Sequence, residues 1–243
     1  MPADTIQIRR ITPPDIPQMA RLASTAYFNS PLSQFLSPYR QTYPGDFTRR
    51  FLHMMRARYF NPRCIGFVAV PVSDPATPVA YAQFIRLGDD KAAKALIAAQ
   101  SSIWNTLRRW CVAVRTWIET LVWPDRSGDA EAVAEFDKAV EDDNLRYWES
   151  PQMKGLYGER WHAQSVVVSG DWRRRGIGRR LMGEVLRRAQ EEGVVVGLEA
   201  SEDGERLYRS LGFELRGRFC MALGDEDGDV GGIMMWRPDG GLD

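Results

Sequence analysis

Residues 171–182, with the sequence DWRRRGIGRRLM, place five arginines and two glycines in twelve positions. They follow the largely apolar stretch WHAQSVVVS (161–169) and precede residues whose apolar side chains recur every three or four positions. This order predicts a strand, a tight turn and an amphipathic helix. Three interpretations are open at this point: a phosphate cradle, a nucleic-acid patch, or a helix start with a solvated basic face.

The spacing of the glycines distinguishes between kinds of phosphate site. A triphosphate-binding loop needs Lys and then Ser or Thr after its second glycine, but Arg179 and Arg180 stand there. A dinucleotide-binding loop needs a third glycine where this chain has Leu181. Both nucleotide patterns therefore fail. A turn at Gly176 and Gly178 can still direct successive N–H groups into one concavity at a helix N-terminus, where an anion is favoured.

Composition restricts the partners and the compartment. Lys and Arg total 32 and Asp and Glu total 32, so the formal net charge is zero, which argues against a dedicated nucleic-acid binder. Three cysteines and two histidines give neither a disulfide framework nor metal-ligand spacing, so no metal is expected. Reduced thiols and the absence of an apolar leader predict an intracellular, cytoplasmic protein. No transmembrane helix is expected, because no uncharged stretch reaches about 18 residues.

Strand and helix patterns alternate along the chain around this segment. A strand and two helices precede a hairpin of two strands, and after residue 160 further strands alternate with two helices. These patterns predict an α/β (α+β) fold with a single mixed, largely antiparallel central sheet flanked by helices. We expect one domain over residues 1–243, with a helical insertion at about 88–158.

Four of the tryptophans in the predicted insertion lie close together, at positions 104, 110, 117 and 123. Its apolar positions recur at three- and four-residue steps, with a break near Ser101–Ser102. Packing of the insertion onto the main sheet would explain this pattern. A substrate lid, a face for homodimer formation and a membrane-surface face are the alternatives.

A second motif, SEDGERLYRSLGF, occupies residues 201–213. Together with the R-x-x-G-x-G pattern of Arg173, Gly176 and Gly178, it resembles the acetyl-CoA signature of the GNAT superfamily of N-acyltransferases, and is similar to fungal-type members. That superfamily often has Asn-x-x-Ala-x-x-Leu-Tyr-x-x-x-Gly-Phe at this place, and here Ser201 and Gly204 replace Asn and Ala. The resemblance covers residues 160–215 closely, and residues 6–87 only in the order of elements.

The resemblance implies an acetyl-CoA-dependent N-acetyltransferase that acts on a primary amine of a small molecule or peptide. The amine would attack the thioester directly, and an N–H group near Val168 would polarise the carbonyl. Tyr208 would be the catalytic general acid that protonates the departing thiolate. The residues implied to bind acetyl-CoA are Val166, Val167, Val168, Arg173, Arg174, Arg175, Gly176, Ile177, Gly178, Arg179 and Ser201.

The motifs do not identify a general base or an acceptor. His162 and Glu199 are the two candidates for relaying a proton from an ammonium substrate, directly or through water. Acceptor contacts are expected from the loop at 30–44, with Phe35, Tyr39 and Tyr43, and from the insertion. The main functional alternative is a catalytically inactive CoA-binding or protein-interaction module of the same fold.

The acidic stretch DEDGD at 225–229 resembles the start of a calcium loop. It has Val230 where such a loop needs glycine at its sixth position, and Trp236 where it needs an acid at its twelfth. A solvated hairpin turn is therefore predicted there.

Overall fold

A seven-stranded sheet forms the centre of the fold in a computed structural model that describes residues 5–221 and 231–238. The strands are β1 (Ile6–Arg10), β2 (Cys64–Pro71), β3 (Ala80–Leu87), β4 (Arg160–Val168), β5 (Val195–Ala200), β6 (Glu214–Arg218) and β7 (Gly232–Trp236). Their order in the sheet is β1-β2-β3-β4-β5-β7-β6, and every neighbouring pair is antiparallel except β4 and β5. This confirms the predicted mixed, largely antiparallel sheet.

Helices cover both faces of the sheet. One face packs on the helix at 177–192 through Ile177, Leu181 and Val185, and the other packs on the helices at 16–27 and 44–59 through Met19, Ala23 and Met55. Over the described ranges the helices are α1 (Ile16–Tyr27), α2 (Pro31–Leu36), α3 (Pro44–Tyr59), α4 (Lys91–Gln100), α5 (Ile103–Val122), α6 (Ala130–Asn144), α7 (Pro151–Tyr157), α8 (Ile177–Glu192) and α9 (Glu202–Arg209). In the same part of the chain, no helix is long and apolar enough to cross a bilayer.

Helices α4 to α7 all lie between β3 and β4, where the sequence predicts the helical insertion. The predicted break at Ser101–Ser102 separates α4 from α5, and the Ser102 side chain caps α5 by accepting from the N–H of Asn105. The acidic stretch at 225–229, predicted to form a hairpin turn, lies outside the described residues.

A buried arginine ties the two ends of this helical segment together. The Arg86 side chain at the end of β3 is 1% exposed and contacts three carboxylates. Asp90 begins the segment, Glu159 ends it, and Glu192 closes α8, at N···O distances of 2.5, 3.2 and 2.7 Å. Because a buried cation needs such partners, Arg86 fixes the point where the helices leave and re-enter the sheet.

The segment is anchored on the sheet by Trp148, a residue that the sequence did not single out. Trp148 is fully buried in a short π-helix, Leu145–Glu149, that joins α6 to α7. Its ring lies so close to Gly197 of β5 that a Cβ there would be 2.5 Å from the indole Cη2. Arg160 lies over the ring at 4.6 Å, and His162 meets it edge-on at 5.7 Å.

The insertion packs on the sheet through Trp148 and Leu96, but packing does not explain the tryptophans at 104, 110, 117 and 123, for which that interpretation is wrong. Helix α5 has no buried residue, and positions 104, 110, 117 and 123 are all more than half exposed. The helix contacts α3 through Glu119, whose carboxylate lies 2.8 Å from both His53 Nε2 and Arg56 Nη1. Burial alone would raise the pKa of Glu119, but hydrogen bonds with Arg115 and His53, together with the Arg56 charge, lower it to about 2.

Candidate active site

The parallel strands β4 and β5 separate at one end of the sheet. Their register runs from Arg160↔Val195 to Ala163↔Leu198, while β4 continues to Val168 and remains paired with β3 on its other side. Over residues 164–168 the edge of β4 thus pairs with no described strand on the β5 side, and we call this open side of β4 the cleft. Such an edge presents main-chain N–H and C=O groups that an extended ligand can pair with. Val166, Val167 and Val168 lie on this edge.

A β-bulge bends β4 where the cleft begins. Gln83 pairs with Ser165 and Phe84 pairs with Ala163, so Gln164 is the extra residue. The bulge reverses which residues face α8: Trp161 and Ala163 do so before it, and Val166 and Val168 do so after it. Bulges re-aim side chains next to functional sites, and this one turns Ser165 towards the face that α1 covers.

The turn between β4 and α8 opens into the same end of the sheet. Gly170–Trp172 forms a 3-10 turn, and Gly176 then caps α8 in the left-handed conformation with φ of +73°. No side chain caps α8, and its first three N–H groups donate to no main-chain carbonyl within the described residues. These donors and the helix dipole make the turn a site for an anion.

Two residues of this turn have unusual backbone conformations. Arg174 has φ of +61° and is the one non-glycine residue with a positive φ in the described ranges. Such a conformation in a side-chain-bearing residue is strained, by about 1–3 kcal/mol. A Cβ on Gly176 would meet nothing within 4 Å, whereas one on Gly178 would lie 3.0 Å from Leu207 Cδ2. Gly176 is thus required for conformation, and Gly178 for the close packing of α8 on α9.

Most of the arginines in the turn have partners within the protein. Arg173 donates to the carbonyl of Val168 at 3.4 Å, and Arg175 stacks over Trp172 at 4.6 Å. Arg179 donates to the carbonyl and hydroxyl of Ser210 at 3.1 Å. Arg174 is exposed and makes no ion pair or hydrogen bond with a described residue. The arginines therefore brace the turn as much as they add charge to it.

Tyr208 lies on α9 and is buried, with 9% of its surface exposed. Its ring meets Phe213 edge-on at 5.6 Å, and a Cβ on Gly204 would lie 3.1 Å from the ring, so Gly204 leaves room for it. Burial, together with the charges of Tyr27 and Glu199, raises the pKa of Tyr208 above its usual value. The phenol therefore stays protonated at physiological pH and has a proton to donate.

His162 and Glu199, the two residues considered as bases, form one pair. His162 Nε2 lies 2.7 Å from Glu199 Oε2, although the residues are 37 positions apart in the chain. Burial would raise the pKa of Glu199, but the charge and hydrogen bond of His162 outweigh it and lower that pKa. The Glu199 side chain is 43% exposed and that of His162 is 13% exposed. Glu199 is therefore the member of the pair that is open to solvent.

Residues on the α1 side of the cleft were not predicted from the sequence. The Tyr81 hydroxyl lies 3.0 Å from Ser165 Oγ, and both groups are buried. Burial also raises the pKa of Tyr27 of α1, against the effect of its hydrogen bond with Ser165. Strand alternation alone assigns Ser165 to the opposite face from Tyr81. The bulge at Gln164, which the sequence does not reveal, is what brings the two side chains to the same face. These phenols give the cleft a polar wall beside Val167.

Ser201 and the two tyrosines expected to contact an acceptor, Tyr39 and Tyr43, complete the set of predicted residues. Ser201 precedes α9 in extended conformation, and its carbonyl accepts from the N–H groups of Gly204 and Glu205. Tyr43 lies under Arg126, with the guanidinium 4.4 Å from the ring centre, and Tyr39 is exposed. Across residues 5–221 and 231–238, no three His, Cys, Asp or Glu side chains form a group that could hold a metal ion.

One family model matches the part of the chain that contains β4, the turn and α8. Residues 133–215 match the family model described as acetyltransferase (GNAT) domain, which is 83 of the 243 residues. The match contains β4, the turn, α8, β5 and α9, and therefore His162, Glu199 and Tyr208, whereas Tyr27 and Tyr81 lie outside it. The chain thus contains a region similar to the GNAT acetyltransferase domain.

Solved structures extend the similarity to the whole fold. The histone acetyltransferase HPA2 and related acetyltransferase of Corynebacterium glutamicum has a TM-score of 0.60 at 18% identity, covering 96% of this chain and 97% of that one. Arylalkylamine N-acetyltransferase 2 of Aedes aegypti gives 0.56 at 12% identity, with coverages of 96% and 99%. A putative acetyltransferase of Acinetobacter baylyi gives 0.52 at 14%, with 98% and 95%. The fold is therefore the GNAT fold.

Proposed function

We propose that the chain is a GNAT N-acetyltransferase that transfers acetyl from acetyl-CoA to a primary amine of a small molecule or peptide. The observation that carries this proposal is the free edge of β4 beside the uncapped N-terminus of α8, with α9, which bears the buried Tyr208, packed on α8 at Gly178. The proposal treats residues 1–243 as one domain with the insertion at 88–158. Similarity to fungal-type members remains a part of the proposal that rests on the motif at 201–213.

In this proposal acetyl-CoA binds along the cleft. Its pantetheine arm pairs with the free edge of β4 at Val166, Val167 and Val168, as an added strand would. Its pyrophosphate accepts hydrogen bonds from N–H groups between Arg174 and Arg179, where the helix dipole favours negative charge. Ser201 contributes a small hydroxyl beside the arm. Arg173, Arg175 and Arg179 hold the turn in shape through their own contacts.

The reaction follows from the groups at the end of the cleft. The amine lone pair attacks the thioester carbonyl, whose developing negative charge the N–H near Val168 stabilises. The carbon–sulfur bond breaks, and Tyr208 donates its proton to the departing thiolate. Glu199, held ionised by His162, accepts the proton that the ammonium group must lose, directly or through water.

The free cysteines Cys64, Cys111 and Cys220 support an intracellular, cytoplasmic location, where thiols stay reduced.

Calorimetry with CoA and thiol release from acetyl-CoA test the proposal together. We expect saturable CoA binding, and release of free thiol that depends on an added primary amine. Failure to bind CoA would overturn the proposal. CoA binding without thiol release from any amine in a panel of small amines and peptides would instead support the inactive module of the same fold.

Substitution of Glu199 tests its role as base. Glu199→Gln keeps the size of the side chain but cannot accept the proton, so we expect kcat/KM for the amine to fall by about 10- to 100-fold. Because the pKa of Glu199 is lowered, its carboxylate is already ionised throughout the neutral range. The loss should therefore be constant between about pH 6 and 9, well above the usual glutamate pKa of about 4.3. Steady-state rates across this range measure it.

Glu214→Gln, an exposed substitution on β6, is the matched control and should leave the rate unchanged. If Glu199→Gln matched this control, water alone would accept the proton and Glu199 would have no catalytic role.

Replacing Gly176 tests whether the backbone or the charge makes the anion site. At a φ of +73°, valine is strongly disfavoured, so Gly176→Val should displace the N–H groups and raise the Kd for CoA at least about tenfold. Arg174→Gly removes a charge while relieving the strain of a positive φ, so we expect its Kd to change less than about threefold. Calorimetric titration with CoA compares both with the unsubstituted protein. The reverse order of effects would mean that arginine charge, not backbone geometry, makes the site.

A further inference from the structure

Helix α5 directs its apolar side away from the rest of the protein. Ile103 is 86% exposed, and Trp104, Trp110 and Trp117 are exposed by 70%, 68% and 65%. Glu119, on the opposite side, is the residue that contacts α3. The helix is 20 residues long, and at about 1.5 Å per residue it presents an apolar face of about 30 Å. We call this surface the outer face of α5: Ile103, Trp104, Leu107, Trp110, Trp117, Ile118 and Leu121.

The residue types on the outer face follow an order from its centre to its margins. At about 100° per residue, Ile103, Leu107, Ile118 and Leu121 share a sector of about 60°. Trp104 lies on one side of that sector, and Trp110 and Trp117 lie on the other. Arg115 and Arg108 come next, beyond Trp104. Aliphatic side chains are thus central, indoles flank them, and guanidinium groups lie beyond.

This order matches the polarity gradient of a bilayer interface. Aliphatic side chains favour the acyl region, indoles favour the headgroup level, and arginines reach the phosphates. Arg108 and Arg109 are exposed and form no ion pair with a described residue, so both are available to anionic groups. The one acid of the helix, Glu119, already has three basic partners and leaves the outer face without an opposing charge.

We propose that the outer face of α5 docks the protein onto the surface of an anionic lipid bilayer, with the helix lying in the plane of the interface. A second copy of the chain is a poorer occupant. A two-fold contact through this face would gather the arginines of both copies at one interface, and α5 has no free acid to pair with them because Glu119 is already engaged. The inference does not rest on acetyl transfer, because it uses no residue of the cleft.

Vesicle binding by the full chain tests the inference. The probes are vesicles of phosphatidylcholine alone, and of phosphatidylcholine with about one third phosphatidylserine, in co-sedimentation and tryptophan emission measurements. We expect binding to the anionic vesicles, a blue shift of the emission, and weaker binding when NaCl is raised from about 0.1 to about 0.5 M. Little binding is expected to phosphatidylcholine alone.

Two variants separate the apolar and the cationic contributions. Trp104→Ala, Trp110→Ala and Trp117→Ala combined should reduce the bound fraction at least about tenfold. Arg108→Gln with Arg109→Gln should reduce the preference for anionic vesicles. The control combines Val72→Ala and Leu156→Ala, two exposed apolar residues outside α5, and should bind as the unsubstituted chain does.

Three outcomes would overturn the inference: no binding to anionic vesicles, equal binding by the triple tryptophan variant, or a dimer in light scattering that the triple variant abolishes while vesicles are not bound. The last would assign the face to a second copy. Thiol release measured without vesicles stays independent of all three, so failure of membrane docking and failure of the proposed enzymatic function are distinguishable.

Discussion

Tyr208→Phe should lower turnover by about 10²- to 10³-fold while changing the KM for acetyl-CoA little. Protonation of the CoA thiolate as the carbon–sulfur bond breaks stabilises the leaving group and prevents its return, and general-acid catalysis contributes effects of about this size. Removing the hydroxyl removes the proton but keeps the ring, which packs on Phe213 at 5.6 Å. Steady-state thiol release at varied acetyl-CoA gives both constants.

The pH profile adds a second readout for this residue. Since burial raises the pKa of Tyr208 above the usual tyrosine value of about 10, the phenol of the unsubstituted enzyme stays protonated across the assay range. No alkaline loss of rate below about pH 10 should come from its ionisation. Tyr157→Phe, whose hydroxyl contacts Arg237 outside the cleft, is the control. Unchanged turnover in Tyr208→Phe would mean that another group protonates the thiolate.

The parts of the site that are contiguous in the chain could be predicted from the sequence. A strand, a glycine turn and a helix N-terminus follow one another within residues 161–182, so local spacing defines their geometry. The need for glycine at position 176 is a local conformational requirement, and the observed φ of +73° accounts for it. The mixed sheet was predictable for the same reason, because alternation and periodicity are local signals.

Contacts between distant segments could not be predicted in this way. His162 and Glu199 meet because β4 and β5 are parallel and in a particular register, which no local pattern specifies. The bulge at Gln164 depends on how β3 pairs with β4, and without it alternation assigns Ser165 to the wrong face. The contacts of Tyr27 and Tyr81 with Ser165 therefore could not be predicted from the sequence.

Helix α5 shows a different limit of sequence patterns. Periodicity identifies which residues share a helix face, but it does not say whether that face points to the core or to solvent. The apolar stripe of α5 favoured packing on the sheet, yet Glu119 is the residue turned inwards, because His53 and Arg56 of α3 bind its carboxylate. The ion pairs of Glu119 with His53 and Arg56 join segments that are distant in the chain, and they fix an orientation of α5 that the apolar stripe alone does not predict.

Trp148→Ala should lower the free energy of unfolding by about 3–5 kcal/mol, because it removes a fully buried indole and leaves a cavity. The indole lies against Gly197 of β5, under Arg160 and edge-on to His162, so nothing nearby can fill the space without moving the sheet. Its N–H meets no hydrogen-bond partner in the part of the chain that the structure describes, so the loss is one of packing rather than of a polar contact. Denaturation by urea, followed by circular dichroism, measures the change.

Trp110→Ala is the matched control, because it makes the same chemical change at a tryptophan that is 68% exposed. We expect it to change the free energy of unfolding by no more than about 0.5 kcal/mol. A milder variant, Trp148→Phe, should also slow turnover, since it loosens the surface that orients His162 and hence Glu199. A loss of about 3–5 kcal/mol in Trp110→Ala as well would contradict this assignment of inner and outer tryptophans. It would mean that Trp110 is buried within the protein, and the outer face of α5 could then not bind a membrane.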